Sequence, residues 1–273
     1  MVPEDMEDEE ASDIYEVLVD PNVQIHEYGK FDFKGATIVD GFPSVGLVST
    51  IAANYLIDML KLEQVGIVDA RHFPTLSVVH NGEPLNPVRI YGGEHNDRSG
   101  EKRKLVVFIS EFQPAPHLVR PIAEAMLEWA RKVKADLVIS PEGLVLEDEE
   151  AHEDTETEVY AIGSTPQMRK RIKDRGVESF NHGIITGVSG VLLNIGKREK
   201  VPVISILAEA HANYPDARSA ATVIETMAKL LDLEINVDPL YKEAEGFEKQ
   251  IMALRKQADA MERKTHPSPS MYG

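Results

Sequence analysis

Leu105-Val-Val-Phe-Ile-Ser110 runs without a charge or a turn former, and its reading decides the fold. An amphipathic strand would alternate apolar and polar residues. A run apolar throughout suits a strand covered on both faces. Leu137-Val-Ile-Ser140 and Val203-Ile-Ser-Ile-Leu207 have the same character. Between and after them stand helical patterns at Leu118–Lys134, Thr165–Asp174, the stretch ending near Arg198, and Ala217–Leu231 with Asp216 as its cap. Further strands are expected at Ala36–Asp40, Val65–Asp69, Leu76–His80, Val88–Tyr91 and Val159–Gly163, and Asn81-Gly82 is a hairpin signal. Buried strands alternating with helices define an α/β fold with a largely parallel sheet. No composition break divides residues 30–235.

The composition narrows the function classes. The chain has 273 residues, 42% hydrophobic and 27% charged, so it can bury a sizeable core. Lys and Arg total 29 against 46 acids, a net charge of −17, which argues against phosphate backbones and anionic membrane surfaces. There is no Cys, hence no disulfide, thiolate nucleophile or cysteine metal site. The acidic start is unlike a signal peptide and no run is long enough to span a bilayer, so a cytoplasmic location is expected.

The charge is concentrated. Residues 1–16 hold eight acids and no Lys or Arg, and residues 147–158 hold eight more with no base. Without these segments 30 acids face 29 bases, so the body is nearly neutral. Blocks of like charge repel, which is expected to leave 1–16 unstructured and 147–158 a solvated loop. Such a loop could also steer docking onto a basic surface. His152 sits among sequential acids without helical spacing, and no metal site is expected.

Catalytic motifs are mostly missing. There is no GxxxxGK[ST] and no HExxH, and Gly187-Val-Ser189-Gly190-Val191 lacks the last glycine of a nucleophile elbow. Two glycine-rich turns join apolar strands to helices, Gly41–Gly46 and Gly183–Gly190. Amide groups around Gly41, Gly46, Gly187 and Gly190 could hold an anion, or the glycines could serve tight turns and close packing. No cofactor and no catalytic residue are assigned.

Leu240, Ala244, Phe247, Ile251, Leu254, Ala258 and Met261 recur at spacings 4-3-4-3-4-3. This heptad seam predicts a helix over 240–264, packed on its own body or on a neighbouring subunit. Gly246 weakens it. Residues 265–273 then read as a Pro/Ser tether ending in Met271-Tyr272-Gly273. The expected organisation is an acidic segment 1–16, a core 17–239, the helix 240–264 and the tail 265–273.

Three stretches resemble the proteasome assembly chaperone type 2 family, especially its archaeal members. They are Gly41-Phe-Pro-Ser-Val-Gly46 with the helix to Leu56, Gly183-Ile-Ile-Thr-Gly-Val-Ser-Gly-Val-Leu-Leu193, and Tyr214-Pro-Asp-Ala-Arg-Ser-Ala-Ala221 with the later Val237-Asp-Pro-Leu240. The family pattern usually has glycine where Ser44 and Ser49 stand, and Ala208–Asn213 departs from its common form. The resemblance implies a three-layer α/β/α core similar to nucleoside phosphorylases, without an established catalytic site. It also implies a homo-oligomer, with a tetramer as the working expectation and trimers or pentamers open.

The resembled systems often end in a hydrophobic residue, Tyr and any residue, a pattern that Met271-Tyr272-Gly273 matches. There the tail inserts between α-subunits of the proteasome ring. The implied role is a non-enzymatic, ATP-independent assembly chaperone or gate-opening activator of the proteasome core particle. The Gly273 carboxylate would meet a pocket lysine, Tyr272 would anchor, and Met271 would fill apolar space. Two rivals remain: an enzyme on a phosphorylase-like core with an anion at a glycine turn, and a scaffold that oligomerises through its C-terminal helix.

Overall fold

The computed structural model describes residues 23–29, 31–145 and 157–246. The three strands of continuous apolar sequence form the middle of one nine-stranded sheet. Its strands, in chain order, are β1 (Gln24–Glu27), β2 (Thr37–Gly41), β3 (Glu63–Asp69), β6 (Val88–Asn96), β7 (Lys102–Ser110), β8 (Leu137–Val145), β9 (Val159–Gly163), β10 (Glu178–Ser179) and β11 (Val203–Ala210). Their spatial order is β1-β3-β6-β7-β2-β8-β11-β9-β10. The central four, β7-β2-β8-β11, run parallel. Antiparallel β6, β3 and β1 extend one side, and β9 pairs antiparallel with β11 on the other.

Alternation along the strands separates two cores. Val39, Leu105, Val107, Ile109, Ile139, Ile204 and Ile206 face helices α1 (Val48–Met59), α3 (Pro166–Asp174) and α5 (Ala217–Leu231). Ile38, Val106, Phe108, Val138 and Val203 face α2 (Pro116–Lys132) and α4 (Gly187–Glu199). Leu105 to Ile109 are all fully buried, as a strand between two helical layers requires. The result is a mixed, centrally parallel sheet in a three-layer α/β/α sandwich.

Several local expectations change. The 76–80 stretch does not join the main sheet. Only Val78–His80 is extended (β4), paired with Glu83–Leu85 (β5) in a separate ribbon. Its turn is Asn81-Gly82, both at positive φ. The helix after Gly41 begins as a 3₁₀ turn at Val45–Leu47 before α1 proper. Gly46 sits at φ 60, the left-handed region that only glycine enters without strain. A last helix enters at residue 238 and is described to 246.

Candidate functional site at the C-terminal edge of the sheet

Ligands of open α/β sheets collect at the carboxyl ends of the parallel strands. Here β2, β8 and β11 end beside both glycine-rich turns. The Gly41–Gly46 turn leaves β2 at this edge. The carbonyl of Gly46 accepts the Asp216 N–H at 2.8 Å, which ties the turn to the loop after β11. Asp216 caps α5 by accepting the Ser219 N–H at 2.9 Å. Its other oxygen accepts the His211 N–H at 3.1 Å and lies 2.8 Å from His211 Nδ1. Tyr214 stacks on His211 with ring centroids 4.6 Å apart. The Tyr214-Pro-Asp216 motif thus holds three segments together.

Two acids lie under this turn. Asp40 ends the apolar part of β2 and is buried. It accepts the Ser140 hydroxyl at 2.6 Å and the Phe42 N–H at 3.1 Å. Burial outweighs both bonds and pushes its carboxyl up to about 6. Glu142, two residues past Ser140 on β8, is pushed further, to about 8, first by burial and then by the charge of Asp40. The Gly143 and Val45 N–H groups oppose that rise. Near neutral pH the pair therefore holds a proton that ordinary carboxyls would have released.

Ser44 and Ser49 also have structural work. The Ser49 hydroxyl donates to the Phe42 carbonyl, and its N–H donates to Ser44 Oγ at 3.1 Å. On the face covered by α4, Ser189 Oγ lies 2.8 Å from Ser205 Oγ, and both are buried.

The glycines meet close neighbours. A Cβ at Gly41 would lie 2.5 Å from the Ala53 methyl, one at Gly46 2.9 Å from the His211 carbonyl, and one at Gly190 2.4 Å from the Ile185 carbonyl. Close packing accounts for these three. At Gly187 nothing lies within 4 Å. Beside the Gly41–Gly46 turn three carboxyls converge, those of Asp40, Glu142 and Asp216, and no Lys or Arg bonds to the turn among the described residues.

The same edge anchors the acidic segment. Val145 ends β8 opposite Ala210, and Val159 begins β9 opposite Ala208, two residues from the end of β11. The C-terminal helix also runs toward this edge. The Asp232 carbonyl at the far end of α5 accepts the Arg98 N–H at 2.8 Å, beside the hairpin where β7 starts. Nine residues on, the Tyr241 hydroxyl donates to Glu225 Oε2 at 3.1 Å, midway back along α5. Leu240 packs into the α1/α5 core, and Ala244 is buried as well. The first two seam residues thus pack on their own body. Phe247, Ile251, Leu254, Ala258 and Met261, the tail residues Met271, Tyr272 and Gly273, and segments 1–16 and 146–156 lie outside the described residues. Among the described residues no helix is long and apolar enough to cross a membrane.

The architecture is that of a layered α/β protein with a mixed, centrally parallel sheet and a terminal helix packed against its α1/α5 layer. The chain belongs to the PAC2 family, whose model matches residues 38–255. It is similar to Pyrococcus furiosus PbaA, described as an archaeal homolog of proteasome-assembly chaperone. The two share 33% identity and a TM-score of 0.75, over 89% of this chain and 95% of that one. The fold is also that of P. furiosus PbaB, described as an archaeal proteasome activator, with 23% identity and a TM-score of 0.75 over 86% and 99% of the two chains. An uncharacterized protein of Methanocaldococcus jannaschii is 26% identical over 90% of this chain and 96% of its own.

Proposed function

We propose that this protein is a non-enzymatic, ATP-independent assembly chaperone or activator of the proteasome, working in the cytoplasm as a homo-oligomer and docking on the α-ring through Met271, Tyr272 and Gly273. The observation that carries the reading is membership of PAC2 across most of the chain, with a relative at 33% identity described as a proteasome-assembly chaperone homolog. The tail motif, read from the sequence, supplies the docking chemistry. A three-residue anchor binds weakly alone, and several tails on one oligomer gain by effective concentration. The six tether residues 265–270 span about 19 Å when extended at ~3.1 Å each.

A synthetic peptide of residues 265–273 tests the docking element. It should displace the intact protein from purified archaeal α-rings, at a concentration at least about a hundredfold above the protein's own dissociation constant. The same peptide lacking the last three residues should not. Equal competition by both, or by neither, contradicts tail docking.

A further inference from the structure

Helix α3 carries more positive charge than its surroundings neutralise. Arg169, Lys170, Arg171, Lys173 and Arg175 lie within seven residues, in a chain of net charge −17. Two have carboxylate partners: Lys170 pairs with Asp174, and Arg175 pairs with Asp232. The others meet neutral groups or solvent. Arg169 donates to the Gly163 and Ser164 carbonyls at 3.1 and 3.3 Å. Arg171 donates twice to the Leu230 carbonyl, at 3.2 and 2.7 Å. Lys173 is exposed to solvent. Lys229 adds a further cation beside them, donating to the Gly176 carbonyl at 3.2 Å. Arg171 is half-buried, and burial followed by the charge of Arg175 lowers its affinity for its proton. The nearby charges of Asp232 and Asp136 only partly offset this, and among the described residues no carboxylate bonds the guanidinium directly. Gln167, Met168, Lys170, Arg171, Asp174 and Arg175 line a solvent-open cleft of about 390 Å³ at this spot.

The position of the cleft indicates what fills it. Its Arg175–Asp232 end adjoins Arg98, at the edge of the sheet where β7 begins. The segment 147–158, with eight acids and no base, is anchored at the opposite edge by Val145 and Val159. The two edges lie roughly 25 Å apart, the length of β11. The anchors sit two strand spacings, about 10 Å, apart. Such a segment reaches its own cleft only near full extension, about 23 Å out, at a high entropic cost. A second copy brings acid and base together without that cost.

We propose that the cationic cleft on α3 is the docking site for the acidic 147–158 segment of a second copy of this chain. Acid at one edge and base at the other make the contact head-to-tail, the kind that closes a ring or extends a filament. This contact is independent of any docking on the proteasome.

Charge reversal tests it in the full-length protein. Lys170 and Lys173 are exposed, so Lys170→Glu with Lys173→Glu should leave the fold intact, checked by an unchanged melting curve. The double variant should associate at least tenfold more weakly by sedimentation velocity, and association of the unaltered protein should weaken similarly between about 0.05 and 0.5 M salt. Glu149→Lys with Glu150→Lys should weaken association alone and restore it when combined with the cleft reversals. A monomeric unaltered protein, an unchanged constant in the cleft variant, or failure of the combination to restore association overturns the proposal. Charge coupling between the two sites in a species that stays monomeric overturns it too. Binding of each variant to α-rings, measured in parallel, separates failure of this contact from failure of tail docking.

Discussion

Glu142→Gln should be more stable than the unaltered protein at about pH 9 and nearly equal to it below about pH 4.5. The reason is the proton held between buried Asp40 and half-buried Glu142. The Glu142 carboxyl moves from an ordinary 4.5 to about 8 in the fold. Between those values the folded protein keeps a proton that the unfolded chain has released. Stability therefore falls as pH rises through that window, and the full penalty stands above it. Asp40 adds a loss of the same sign between 3.8 and about 6. Each pH step of one between the unfolded and folded values is worth about 1.4 kcal/mol, so the Glu142 contribution is of the order of 3–5 kcal/mol at alkaline pH. Glutamine keeps the shape and a donor but has no proton to lose. Urea unfolding of both proteins from about pH 4 to 9 measures the difference directly. Parallel pH profiles for the two proteins would contradict the account.

Gly143→Val should be the most damaging single change in the described body. A Cβ at Gly143 would lie 2.2 Å from the Val45 carbonyl oxygen and 3.0 Å from its carbon. Both are backbone atoms of the 3₁₀ turn, whose own Gly46 is tied to Asp216. The turn cannot withdraw without breaking that tie and exposing the acid pair. A loss of about 3–5 kcal/mol is expected, the range of severe core disruption. Gly246→Ala is the opposite case. Its Cβ would meet nothing within 4 Å, and it lies in the last described helix. There alanine should stabilise by about 0.5–1 kcal/mol. Similar unfolding midpoints for Gly143→Val and the unaltered protein would show that the β8–turn contact does not hold the edge together.

These two predictions concern residues that the sequence hides to different degrees. The continuous apolar runs announce β7, β8 and β11, because burial on both faces removes every polar position. β1 is Gln-Ile-His-Glu at the edge of the sheet, with no pattern to distinguish it from a loop. β6 runs on to Asn96 through Gly92-Gly93, past the strand expected at Val88–Tyr91. The glycines are needed because Val65, Phe31 and Leu62 lie against them. The acid pair is beyond sequence reasoning. Asp40 and Glu142 are 102 residues apart, and only the register of β2 on β8 unites them. The available signal is an acid at the carboxyl end of each apolar strand. Helix α3 reads as basic from sequence alone, but its arginines' carbonyl partners, such as Leu230 on α5, appear only in the folded molecule. The tail motif, by contrast, is legible only in the sequence.

The central claim is docking through that motif. Its most direct test is binding of purified archaeal proteasome α-rings by the intact chain and by a chain ending at Ser270, with peptide hydrolysis by the core particle followed alongside without ATP. Truncation should abolish binding and any stimulation of hydrolysis while oligomer mass and melting temperature stay unchanged. Equal binding by both chains, or by neither, would contradict the account.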